Sequence, residues 1–69
     1  MLKAIVSNKT QAVYTAIGPN LPGTLKALTA AIQEDFRRTG MAVDVCSWNV
    51  IDVMVEDFGY NVSIEHVTE

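Results

Sequence analysis

Both prolines of the chain lie in one short run, Gly18-Pro19-Asn20-Leu21-Pro22-Gly23, and that run decides where regular structure has to stop. Proline fixes φ and lacks an N–H, so neither a sheet ladder nor a helix interior passes through the cluster, and the flanking glycines favour a sharp change of direction. The chain is thus divided once, into a short opening segment and a longer remainder. At 69 residues the two parts form one small domain, and a chain of that size buries only about 60% of its unfolded surface. A hydrophobic fraction of 49% with 19% charged residues is ordinary for a globular protein.

The opening segment holds two apolar runs, Leu2–Ser7 and Ala12–Ile17, separated by the polar stretch Asn8-Lys9-Thr10-Gln11. Runs of strand length around a separator of hairpin length predict a β-hairpin. In the second run Val13, Thr15 and Ile17 share one face, and Ala12, Tyr14 and Ala16 the other. Both faces are fairly apolar, which suits a strand covered by helix on at least one side.

Beyond the cluster, Leu25, Leu28, Ile32 and Phe36 recur at helical spacing, with Ala27, Ala30 and Ala31 beside them. Pro22 suits the first turn, Asn20 or Thr24 supplies the cap, and Gly40 ends the helix in a left-handed conformation. Glu34 and Arg38 form a favourable i,i+4 pair. Met41–Cys46 reads as a strand, with Val43 and Val45 on one face and Asp44 on the other.

The segment Trp48–Phe58 supports two readings. As a strand, Ile51, Val53 and Val55 alternate with Asp52, Met54 and Glu56. As a helix capped by Ser47 and stopped by Gly59, it gathers Trp48, Ile51, Met54, Val55 and Phe58 into one stripe. Phe36–Val45 and Val55–Ile64 share a pattern, a glycine followed by an apolar residue and then alternating valine or isoleucine. That parallel favours a helix turning into a strand in both places. Tyr60–Val67 is the last strand, with Tyr60, Val62, Ile64 and His66 on one face. The expectation is a single α+β domain over residues 1–69, in the order ββαβαβ. It has a four-stranded sheet with two helices packed on one face, and Trp48 and Phe58 buried on the inner side of the second helix.

Charge is distributed unevenly. The formal net charge is −3 and the pI about 4.9, which does not suit non-specific nucleic-acid binding. Residues 1–40 carry Lys3, Lys9, Lys26, Arg37 and Arg38 against Glu34 and Asp35, a net +3. Residues 41–69 carry Asp44, Asp52, Glu56, Asp57, Glu65 and Glu69 with no lysine or arginine, a net −6. Solubility alone accounts for such a surface. A sharper account is a negative face made for a basic protein, with Asp44, Asp52, Glu56, Asp57 and Glu65 as partner-binding residues.

No constellation of residues carries catalysis, and no catalytic, cofactor-binding or metal-binding residue is assigned. Cys46 and His66 are the one thiol and the one imidazole, but nothing in their spacing brings them together and no glycine-rich elbow flanks the cysteine. A buried, inert strand cysteine and a half-exposed histidine are the expected readings, and together the two fall short of a zinc ligand set. The adjacent pairs Glu34-Asp35 and Glu56-Asp57 diverge by about 100° on a helix, so neither is an acid–base dyad. Gly18–Gly23 lacks both the dinucleotide fingerprint and the lysine of a phosphate loop. One cysteine, no apolar run of membrane-spanning length and no leader pattern at Met1-Leu2-Lys3 set the expectation of a cytoplasmic protein without a membrane partner, monomeric or a small homo-oligomer.

Two resemblances bear on function. Gly18-Pro19-Asn20-Leu21-Pro22-Gly23-Thr24-Leu25 is similar to the strand–loop–helix segment of ACT regulatory domains, with Asn20 where that family usually has aspartate. The resemblance implies a small amino-acid-type effector bound near this loop at a subunit interface, in a βαββαβ fold. In size, acidity and lack of chemistry the chain also resembles small phage-encoded inhibitors, among them anti-CRISPR proteins and other DNA-mimic antagonists. That resemblance implies a non-enzymatic inhibitor or adaptor acting on a basic, nucleic-acid-handling protein.

Overall fold

In a computed structural model that describes residues 1–40 and 45–67, the chain is an α+β domain. Strands β1 (Leu2–Ser7) and β2 (Ala12–Gly18) come first. Helix α1 (Leu21–Thr39), the short helix α2 (Val50–Asp52) with its π-helical continuation Val53–Asp57, and strand β3 (Asn61–His66) follow. Among the described residues the sheet has three strands in the order β2-β1-β3, with both pairings antiparallel. The expected strand Met41–Cys46 lies mostly outside the described residues, and its last two, Val45 and Cys46, are not in a strand.

The hairpin forms where the polar separator predicts it. Asn8 Oδ1 accepts from Thr10 N, Thr10 Oγ1 and Gln11 N at 2.9–3.0 Å, and Asn8 N donates to Gln11 O at 3.0 Å. One asparagine therefore satisfies the turn's donors locally. The pairing slips between Val6 and Ser7: Val6 faces Tyr14 while Ser7 faces Ala12, which leaves Val13 as the extra residue of a bulge.

The face of the sheet that receives the helices is built from small residues. Ala4 pairs with Ala16 and Leu2 with Gly18; Ala4 and Ala16 are buried against Leu28, Ile32 and Phe36 of α1 and Val50 and Met54 of the second helical segment. Leu28, Ile32 and Met54 are fully enclosed, and burial of each contributes about 2–3 kcal/mol. Both helical segments share this core with Ala4, Val6 and Ala16, which occupy one face of the sheet. The other face, with Lys3, Ile5, Thr15, Ile17, Ser63 and Glu65 in register, carries no helix among the described residues.

Helix α1 starts and stops as its sequence dictates. Asn20 Oδ1 accepts from Gly23 N at 2.8 Å, Pro22 sits in the first turn, and Gly40 closes the helix at φ 78°. Thr24, buried in the first turn, donates its hydroxyl to Asn20 O at 2.7 Å. The expected Glu34–Arg38 pair is replaced by two i,i+3 pairs, Arg37–Glu34 and Arg38–Asp35, each 3.0 Å. Asp35 draws Arg38 because it is also anchored by the Tyr14 hydroxyl, 2.6 Å away.

The second helical segment differs more from expectation. It begins at Val50, not Trp48, and Ser47 is not its cap: Asn49 takes the N-cap position, and its side chain instead accepts from Cys46 N at 2.6 Å. Trp48 consequently stands outside the helix and is 83% exposed, which corrects the expectation of burial. Phe58 is half-buried and packs as expected, its ring 5.5 Å from Phe36 and 5.9 Å from Tyr60. Gly59, at φ 70°, makes the turn into β3.

At Gly18 the first turn of α1 comes so close to β2 that a β-carbon would lie 2.4 Å from Thr24 N and 2.7 Å from Gly23 C. Both are backbone atoms, so relief requires the helix to move. Gly18→Ala is expected to lower the unfolding free energy in urea by about 2 kcal/mol, within the usual range for forced overpacking. An unchanged urea midpoint would show that α1 can shift without loss.

Candidate functional site

Four of the five acids singled out from sequence lie among the described residues. Asp52, Glu56 and Asp57 are all exposed on the second helical segment. That segment widens from α to π geometry, with Phe58 N donating to Val53 O at 3.3 Å across five residues. Asp52, Glu56 and Asp57 thus lie within six residues of one helical segment that presents no basic residue.

Glu65 stands elsewhere. It is exposed on β3, directly across from Lys3 on the helix-free face of the sheet. Its neighbour in register is a base, so it is separated from the other acids by the thickness of the sheet. Asp44 lies outside the described residues. Of the five residues assigned from sequence, three come together.

Sequence reasoning missed a second feature, beside the turn that leads into this helix. Leu21, Pro22 and Leu25 of α1 and Ser47 and Trp48 of the turn line an open groove of about 240 Å³. The turn that carries Trp48 is closed twice. Asn49 N donates to Cys46 O at 3.0 Å, and Asn49 Oδ1 accepts from Cys46 N. It is also pinned at both ends, since Val45 and Val50 are buried and Gln33 Nε2 donates to Val45 O at 2.5 Å. The one available signal was Asn49, whose side chain favours a turn before the helix.

Cys46 is half-buried at the start of this turn and not in a strand, and His66 is exposed at the end of β3. Among the described residues no three His, Cys, Asp or Glu side chains converge on a point that would hold a metal. Among those residues no helix is long and apolar enough to cross a membrane.

Among the described residues, one pair of titratable groups is displaced by mutual contact, Tyr14 and Asp35. Partial burial and the hydrogen bond to Asp35 push the Tyr14 phenol up to about 12. The same hydrogen bond, joined by one from Arg38 Nη2 at 3.0 Å, lowers the Asp35 carboxyl. The Tyr14–Asp35 bond ties β2 to α1, and the Arg38–Asp35 bond lies within α1.

Compared with protein-family models, curated proteins and solved structures, the chain shows no significant match to any.

Two measurements check these placements. Trp48 should emit close to the wavelength of indole in water and be quenched freely by acrylamide, whereas a blue-shifted, protected emission would contradict its exposure. For the pair, Asp35 is depressed in the folded state, so its contribution is complete above the ordinary carboxylate range, about pH 4, and fades as pH falls through its folded value. Tyr14 is raised from 10.0 to about 12, so its contribution is complete below pH 10.0 and is lost as pH rises through about 12. Tyr14→Phe should therefore flatten both limbs of the stability–pH curve and raise the Asp35 carboxyl in an NMR titration.

Proposed function

We propose that this chain is a non-enzymatic protein-binding inhibitor or adaptor that engages a basic, nucleic-acid-handling host protein through the acidic side of its C-terminal half. The observation that carries the reading is the grouping of Asp52, Glu56 and Asp57, all exposed on one helical segment without a compensating base. Asp57, at the C-terminal end, opposes the helix macrodipole, and carboxylates one turn apart repel, so this arrangement slightly disfavours the helix that bears it. A surface kept at a folding cost suits a partner whose cations relieve the repulsion. Such a face accelerates encounter and occupies a groove meant for nucleic-acid phosphate, in the manner of an anti-CRISPR or DNA-mimic antagonist in the host cytoplasm. Glu65, opposite Lys3, stands at most at the periphery of this surface.

A second reading has one observation in its favour. The groove against Leu21, Pro22 and Leu25 adjoins the turn that resembles the effector loop of ACT domains. In that reading the chain is a regulatory module binding an amino-acid-type ligand beside Asn20. The groove's lining offers no charged group, however, and the Asn20 side chain is engaged by Gly23 N. A thermal shift on addition of single amino acids would favour this alternative.

The test of the leading reading is a variant combining Asp52→Asn, Glu56→Gln and Asp57→Asn. Its circular dichroism should be unchanged and its thermal midpoint equal or slightly higher. Its association with a basic protein captured from host extract should slow by roughly tenfold at low ionic strength, with the difference closing as salt is added. Equal association rates at low salt would reduce the acidic surface to a solubility device.

A further inference from the structure

Among the described residues Trp48 is the most exposed large apolar side chain, yet it sits on a turn closed by hydrogen bonds. Val45 and Val50 anchor the turn in the core, the Asn49 side chain and backbone close it, and Gln33 ties it to α1. The indole is outside the core, and the hydrogen-bonded turn fixes the backbone that carries it, which lowers the ordering cost when an aromatic residue serves as a binding anchor. Beside it, Leu21, itself 45% exposed, Pro22 and Leu25 form the opposite wall of the groove. About 240 Å³ is small against a metabolite pocket, and the lining is apolar except for Ser47. The space suits a single large apolar side chain.

The surroundings specify what accompanies that side chain. Val53 N donates to Asn49 O at 3.0 Å, so Asn49 caps the helix that begins at Val50, and Asp52 and Glu56 follow Trp48 by four and eight residues. All acids of this wall are exposed, and residues 45–67 contain no lysine or arginine. On the α1 wall the nearest base in sequence is Lys26, which follows Leu25. A cation is thus accepted on the side of Asp52, an exposed carboxylate four residues beyond Trp48 in the chain, and the indole face adds its own attraction for a guanidinium.

Resting on the acidic-surface reading above, we infer that the Trp48 groove is the anchor point of that interaction and takes a partner segment in which a leucine, methionine or phenylalanine precedes or follows an arginine or lysine by about one helical turn. The apolar side chain fills the groove between Leu21, Leu25 and Trp48, and the cation meets Asp52. Affinity comes from the anchor, and approach rate from the carboxylates.

The probe is a set of fluorescein-labelled twelve-residue peptides in a serine–glycine background. Each bears one leucine, with an arginine three or four positions away on either side. Binding is read by fluorescence anisotropy against the full chain. At least one spacing should bind, and replacing its leucine with alanine or its arginine with glutamine should each weaken it about tenfold or more. On the protein, Leu21→Glu places a carboxylate in the first turn of α1, where it is tolerated, and narrows the groove. It should abolish peptide binding with the circular dichroism unchanged. Trp48→Ala should do the same without altering the fold, since the indole is outside the core. If no peptide outbinds its alanine counterpart, or if Leu21→Glu and Trp48→Ala leave binding intact, the groove is not the anchor. Should those variants be silent while Asp52→Asn, Glu56→Gln and Asp57→Asn weaken binding, the groove falls and the acidic reading stands. Binding lost only with the groove variants removes the acids from the interaction. Saturable binding of free leucine in place of the peptides, or a dimer in sedimentation that Trp48→Ala dissociates, overturns the inference in favour of a ligand site or a second copy.

Discussion

How closely α1 can approach the sheet at Gly18 governs the rest of this fold. The helix's first turn lies where a side chain on β2 would be, and that contact sets the height at which the helix crosses the strands. Farther along, Ala16 and Ala4 keep the sheet surface low, so Leu28, Ile32 and Phe36 reach it without strain. Small residues on the sheet and large ones on the helix together fill a single layer at close packing. The second helical segment then has one gap to close, and Val50 and Met54 close it. Phe58 joins this layer to β3 through its contacts with Phe36 and Tyr60.

The parts of the fold that were legible from sequence are those where local chemistry and long-range packing agree. Helix α1 combines a cap, a proline in the first turn, an apolar stripe and a terminal glycine, each at its expected place. The hairpin was legible because Asn8 can satisfy a turn by itself. Trp48 was misread because its size suggested burial, whereas Asn49, with a side chain suited to a turn, decided where the helix begins. The π-helical turn left no mark in the sequence, since its extra residue is absorbed by packing of Met54 and Phe58 rather than by any residue type. Glu65 was grouped with the other acids by sequence alone, and the antiparallel register placed it across from Lys3 instead.

The surface divides accordingly. Around residues 45–57 a rigid turn, an exposed indole and three carboxylates occur together, while the helix-free face of the sheet mixes Lys3 and Glu65 with Ile5 and Ile17. The first region concentrates features that contribute little to folding. The second resembles the solvated side common to antiparallel sheets.

The strand order places β1, made first, in the middle of the sheet, and one of its two neighbours, β3, is made last. On the ribosome the hairpin and α1 become available together, but the second edge of Leu2–Ser7 stays open until Asn61–His66 is synthesised. At about 5–20 residues per second that interval lasts on the order of seconds. During it the nascent chain presents an apolar strand with unpaired backbone groups, the form most prone to pair with a neighbouring chain. Because β3 is exposed along most of its length, its ladder to β1 rather than side-chain burial ends that exposure. The final strand therefore acts as a closing latch, and the speed with which it docks sets how long each new molecule can cross-pair with another.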